Sequence, residues 1–197
     1  MEKLDILLTG VGGQGIILAS DIICQAALGA GYDTKKTDAL GMAQRGGAVV
    51  SHVRLGEKVW SPLIKESAAD ILIAFEKLEG GRWCGYLRPE GTAIINNQAI
   101  PPLSVNTGTE KYPADKDIRS IFRQRTKHIY FVEGTQTAKQ LGDARALNAY
   151  LLGCLSALSP AIKVRDWKAR LGERVPKKAL EINLAAFDRG RKDIKNA

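Results

Sequence analysis

Residues 4–15 read LDILLTGVGGQG, and the apolar run IILASDIICQAALGA follows at 16–30. Strand, glycine loop and helix in that order place a helix N-terminus, with its free N–H groups, at the end of a buried strand. Gly10, Gly12 and Gly15 fit the spacing G-x-G-x-x-G. A glycine at such a turn tolerates unusual backbone angles, and a second lets a ligand phosphate approach the main chain. The loop is not a triphosphate-binding P-loop. Ile16 and Ile17 stand where a lysine and a hydroxyl residue would be required.

Outward from this loop the pattern alternates. The helix at 15–30 is apolar nearly all round, broken only by Ser20, Asp21 and Gln25, which predicts cover on most sides. YDTKKTDA at 32–39 reads as a second strand. A glycine loop at 40–47 then leads into AVVSHVRLG, where Val49, Ser51, Val53 and Leu55 alternate with Val50, His52 and Arg54. LGEKVW predicts a hairpin turning at Gly56 and Glu57. ADILIAFE at 69–76 is an interior strand, and RPEGTAIINN a turn and another strand. Residues 97–114 read as loop, DKDIRSIFRQR as an amphipathic helix and HIYFVEG as a strand. A helical stretch from 135 to 158 breaks near Gly142. Ser159 and Pro160 suggest a further helix start, and two helices complete the chain.

Strands alternating with helices from residue 4 to about 133 define the expected fold class. It is α/β and Rossmann-like, a mostly parallel sheet with helices on both faces, plus a β-hairpin and a helical, basic C-terminal segment. The expected division is an α/β domain over 1–160 and a helical extension over 161–197, packed on or beside it.

The 197 residues carry a net charge of +8, unevenly spread. Residues 163–197 hold 11 Lys and Arg against 5 Asp and Glu, a net +6. Such a segment meets nucleic acid, an acidic protein or water. The chain contains three scattered cysteines, Cys24, Cys84 and Cys154, and two histidines, His52 and His128. They offer neither a disulfide framework nor the four thiolates of an iron–sulfur cluster, so no metal site and no catalytic set is assigned. No apolar run reaches the roughly 20 residues of a membrane span, and the N-terminus enters a strand pattern directly. The expectation is a cytoplasmic protein with no membrane contact.

Two stretches carry the candidate site. One is the loop with Gly10, Gly12, Gly13, Gln14 and Gly15. The other is GMAQRGGAVVSHVR at 41–54, where Gln44 and Arg45 precede a double glycine. If the two loops share one edge of the sheet, the Arg45 fork faces the same anion. Three readings of the glycine loop stand side by side: contact with a phosphate or cofactor, close packing of helix on strand, and contact with a partner chain. A nicotinamide dinucleotide would also need a carboxylate about 20 residues on, at the end of the second strand. Asp38 is the candidate.

GVGGQGIILAS followed by GMAQRGGAVVSHVRLG resembles the gamma-subunit family of 2-oxoacid:ferredoxin oxidoreductases, and within it the beta subunits of the indolepyruvate type. Residues 1–160 carry the resemblance. It implies an accessory subunit in the coenzyme A-dependent oxidative decarboxylation of an aryl 2-oxoacid, with electrons passed to ferredoxin. Thiamine diphosphate, its magnesium and the iron–sulfur clusters are then expected in a large partner subunit, in a hetero-oligomer of α2β2 type. This chain would hold no cofactor alone and would offer a contact for coenzyme A. No thiamine-diphosphate motif occurs here, and GDAR at 142–145 is too short a match. Trp60, Pro62, Leu63, Ile64 and Trp83 are expected to contribute to an apolar surface that the partner covers, a homodimer serving in its absence. Two other readings remain: a stand-alone NAD(P)-binding oxidoreductase, and a nucleic-acid-binding module built on the basic tail, for which no recognition motif appears.

Overall fold

A computed structural model describes residues 3–41 and 46–196. Six strands form one sheet in the order β2-β3-β1-β4-β5-β6. They are β1 (Leu4–Val11), β2 (Asp33–Leu40), β3 (Ala48–Gly56), β4 (Ala69–Ala74), β5 (Leu87–Asn96) and β6 (His128–Val132). β1, β4, β5 and β6 pair in parallel, and β3 lies antiparallel between β1 and β2. Five of the six strands therefore run in one direction and end on one edge. The sheet is mostly parallel, as the alternation predicts.

The helices are α1 (Ile16–Gly29), α2 (Lys77–Trp83), α3 (Leu103–Asn106), α4 (Asp115–Arg123), α5 (Gly134–Gln140), α6 (Leu147–Leu158), α7 (Val164–Arg174) and α8 (Leu180–Asp193). The apolar α1 and α6 lie on one face, against Ile6, Leu8, Val53 and Ile73. α7 and α8 cover these two helices in turn, adding Trp167, Leu171 and Phe187 to the same core. α2 and α4 cover the other face, around Leu7, Leu72, Ile95 and Phe122. α6 and α8 approach so closely that a Cβ on Gly153 would stand 2.0 Å from the Phe187 carbonyl oxygen.

Besides the expected loop at 97–114, which contains the short α3, two local expectations need correction. The hairpin is one element earlier than Gly56–Glu57: β2 and β3 are its arms, with 41–47 between them. After Gly56 no strand follows until Ala69, because side chains rather than a ladder hold the segment. Asp33 accepts the Val59 N–H, Arg54 donates to the carbonyls of Ser61 and Leu63, and His52 Nδ1 accepts the Ile64 N–H. Ile64 is thereby buried, while Trp60 and Leu63 stay 84% and 60% exposed. Trp83 is half-buried, tilted against Tyr86. The second correction is at Ser159, which ends α6 instead of starting a helix; α7 begins at Val164.

Candidate functional site

The chain leaves β1 toward β2 on one side, while β4, β5 and β6 follow on the other. The strand order therefore reverses between β1 and β4, where open α/β sheets form their binding crevice. Gln14 spans this gap. Its Oε1 accepts the Val11 N–H at 2.8 Å and its Nε2 donates to the Phe75 carbonyl at 2.9 Å. The same carbonyl accepts from Asn96 Nδ2 at 2.9 Å, and Asn96 exchanges hydrogen bonds with Thr135, which also donates to Gln98 Oε1. One polar seam thus ties the ends of β1, β4 and β5 to the start of α5.

The glycines of the loop serve different ends. Gly13 and Gly15 have φ of +99° and +84°, a region that side-chain-bearing residues avoid. Gly15 is the N-cap of α1 with no side-chain cap, so the first-turn N–H groups stay available for a ligand. Gly10 faces Phe75 and Gln14 with no room for a Cβ. Gly12 donates its N–H to the Gly47 carbonyl at 2.9 Å, which brings the 10–15 loop and the end of the 41–47 loop to one sheet edge. Gln14 N–H is likewise used, by Val11. Of the loop's amides, those of Gly13 and Gly15 have no backbone partner among the described residues. Gln44 and Arg45 lie outside the described residues.

A cavity of about 500 Å³ opens beside Gly13, Gln14 and Gly15. Leu18, Ile100, Leu147 and Val175 give it apolar walls, and Gln98, Thr135, Asn148 and Asn183 give it polar points. Lys139, Arg145 and Lys178 stand at its exposed rim. Arg145 is bound to Asp143, and this bond holds the Asp143 carboxyl below the usual carboxylate range. Lys139 and Lys178 form no ion pair among the described residues. Asn148 is buried, with Oδ1 on the Ala149 N–H and Nδ2 beside Gly15. The wall at Ile100 is set from behind by Glu76. This buried carboxylate caps α2 and accepts the Ile100 N–H and the Tyr112 hydroxyl. Burial and that carboxylate together raise the Tyr112 pKa.

Of the residues singled out in the sequence, Gly13, Gln14 and Gly15 line the cavity, and Gly10 and Gly12 shape the loop from outside it. Sequence reading did not find Asn148, Asn183, Lys139 or Lys178. An asparagine inside LNAYLLGCLSAL was the one available signal, a polar side chain where the helix is otherwise apolar. The lysines converge only once α5 and the turn before α8 are folded together.

Asp38 is engaged within the sheet. It accepts from Ser51 Oγ at 2.6 Å and pairs with Lys36 at 2.9 Å. β3 also separates β2 from β1, which sets this carboxylate a strand further from the glycine loop than a ribose contact requires. The three cysteines sit apart. Burial pushes the thiols of Cys24 and Cys84 up to about 11 and raises that of Cys154 further. No helix among the described residues is long and apolar enough to cross a membrane.

Residues 5–192 match the family described as Pyruvate ferredoxin/flavodoxin oxidoreductase, and the chain belongs to that family. The match runs beyond residue 160 and takes in α7 and most of α8. Indolepyruvate oxidoreductase subunit IorB of Pyrococcus horikoshii is 33% identical over 198 residues, 99% of this chain and 98% of that protein. The subunit of the same name from Archaeoglobus fulgidus is 36% identical over 189 residues, 95% of this chain and 94% of the relative. The gamma subunit of keto/oxoacid ferredoxin oxidoreductase from Geobacter sulfurreducens shares the fold. Its TM-score is 0.74 at 23% identity, covering 98% of this chain and 99% of that one.

Proposed function

We propose that this chain is the small, cluster-free subunit of a 2-oxoacid:ferredoxin oxidoreductase acting on an aryl 2-oxoacid such as indolepyruvate. The observation that carries the reading is likeness to two indolepyruvate oxidoreductase subunits over nearly their whole lengths. The larger partner would hold thiamine diphosphate, magnesium and the clusters, in an α2β2 assembly that passes electrons to ferredoxin. Among the described residues no group of three or more His, Cys, Asp or Glu is placed to hold a metal ion.

The cavity beside the glycine loop is proposed to receive coenzyme A, whose thiol accepts the acyl group. Its phosphates suit the N-terminus of α1, the amides of Gly13 and Gly15 and the rim cations Lys139 and Lys178, while the apolar walls suit the rest of a long ligand. Arg45, two residues before Gly47, is a proposed further anion contact. Trp60 and Leu63 are offered to the partner.

Co-expression with the large subunit tests the reading. The complex should reduce a dye in the presence of indolepyruvate and coenzyme A, and the isolated chain should not. Exposed cations contribute about 0.5–1 kcal/mol each. Lys139→Ala with Lys178→Ala should therefore raise the KM for coenzyme A roughly 5- to 30-fold. Activity of the large subunit unchanged by the presence of this chain would sink the subunit reading. An unchanged KM would remove coenzyme A from the cavity.

A further inference from the structure

Among the described residues β6 is the last strand of the sheet, with β5 its only neighbour. From His128 to Phe131 its backbone makes no hydrogen bond outside that pairing, among the described residues, except the His128 N–H to Thr126 Oγ1. Its outer row of N–H and C=O groups is therefore open to another strand. A strand laid beside it would send alternate side chains to the two faces of the sheet.

Room exists on both faces. On the face of Ile129 and Phe131 lies a cavity of about 360 Å³, lined also by Arg119, Arg123 and Lys127. On the other face a cavity of about 440 Å³ lies between the end of β6, α5 and the end of α8, with Gln136 and Gln140 in its wall. Phe131 belongs to both, so the two cavities flank the same open edge.

The first cavity has a definite charge. Arg119, Arg123 and Lys127 take part in no ion pair among the described residues. The Arg119 guanidinium lies 3.8 Å over the Phe131 ring, which holds a cation beside the strand. The opposite edge differs. There β2 carries Lys36, which is already bound to Asp21 and Asp38.

From this placement we infer that the β6 edge receives an extended segment of the partner subunit as a seventh strand, with carboxylates at alternate positions facing Arg119, Arg123 and Lys127. Main-chain pairing supplies the attachment and the cationic cavity selects an acidic sequence. The identity of the partner rests on the functional reading above; the chemistry of the segment rests on the edge alone.

Hydrogen exchange of the assembled enzyme and of the isolated chain tests the inference, together with a capped seven-residue peptide of alternating glutamate and valine. The amides of residues 128–132 should exchange at least tenfold more slowly in the complex and, at saturation, with the peptide. A peptide of alternating lysine and valine should not bind. Arg119→Glu, Arg123→Glu and Lys127→Glu together should weaken both assembly and peptide binding at least tenfold. The corresponding glutamine substitutions should act in the same direction with less disturbance of the fold. An active, assembled enzyme in which 128–132 exchange as in the free chain would overturn the inference and leave the functional reading standing. If the chain assembles with no thiamine-diphosphate subunit, the functional reading fails. The peptide then decides alone, its failure to bind the wild-type edge overturning the proposal.

Discussion

An alanine Cβ at position 10 would stand 2.7 Å from both Phe75 Cβ and Gln14 Oε1, whereas at position 12 its nearest neighbour, the Gly47 carbonyl oxygen, is 3.6 Å away. Real Cβ contacts do not reach the first distance and commonly reach the second. Gly10→Ala should therefore destabilise the fold by about 1–3 kcal/mol, the cost of overpacking a closed site. Gly12→Ala should stay within about 0.5 kcal/mol. Urea unfolding followed by circular dichroism checks both, and equal effects would show that the loop acts as one rigid unit. At this scale the sequence was legible in kind and not in detail. G-x-G-x-x-G marked the loop, but only coordinates separate a glycine needed for space from glycines needed for φ. Gln14 illustrates the same limit, since its amide is used between Val11 and Phe75, two backbone groups far apart in sequence and adjacent only in the sheet.

The element-scale differences arise where tertiary partners overrule local pattern. GEKVW has turn residues between two β-favouring runs, yet Asp33, Arg54 and His52 bind the backbone that a second arm would have paired. Interior strands and the apolar α1 were readable because their periodicity is also their burial. The position of β3 between β1 and β2 was not, because pairing order leaves no periodicity. His52 provides a prediction for the irregular segment. Burial lowers its pKa below the ordinary 6.5, and its neutral ring accepts the Ile64 N–H through Nδ1. The stability it contributes is present above pH 6.5 and is lost as the pH falls toward the depressed value. The Ile64 amide resonance should shift with a midpoint below 6.5, and wild type should lose urea resistance over that range. A variant with His52→Asn should lack this loss, and a resonance insensitive to pH would refute the assignment. At the α6–α8 contact, a Cβ on Gly190 would lie 2.1 Å from the Tyr150 carbonyl oxygen. Gly190→Ala should lower the Tm by several degrees and, since α8 and the turn before it form one cavity wall, weaken ligand binding as well.

At the scale of the whole molecule, the basic segment after residue 160 is where sequence reading was least informative. Its charge suggested a partner or solvent, and its helices suggested an extension packed on or beside the α/β domain. In the fold those residues point inward. Ile162, Trp167, Leu171, Ala186, Phe187 and Ile194 are buried in one core with Ile22, Ile23, Tyr150 and Cys154, while the lysines and arginines occupy the outside. Removing the segment would bare the outer faces of α1 and α6, which α7 and α8 cover. Burial of a large apolar side chain contributes about 1.5–3 kcal/mol, and domains of this size are stable by only about 5–15 kcal/mol. Four such side chains, Trp167, Leu171, Phe187 and Ile194, therefore represent a loss comparable with the entire margin. A chain ending at residue 160 should consequently fail to fold alone. It should lack a cooperative thermal transition by circular dichroism and be cut rapidly by protease under conditions that leave the full chain intact. A truncated chain that unfolds cooperatively near the full chain's Tm would instead make 161–197 a separable extension, and Val175, Lys178 and Asn183 would then be a removable wall of the cavity.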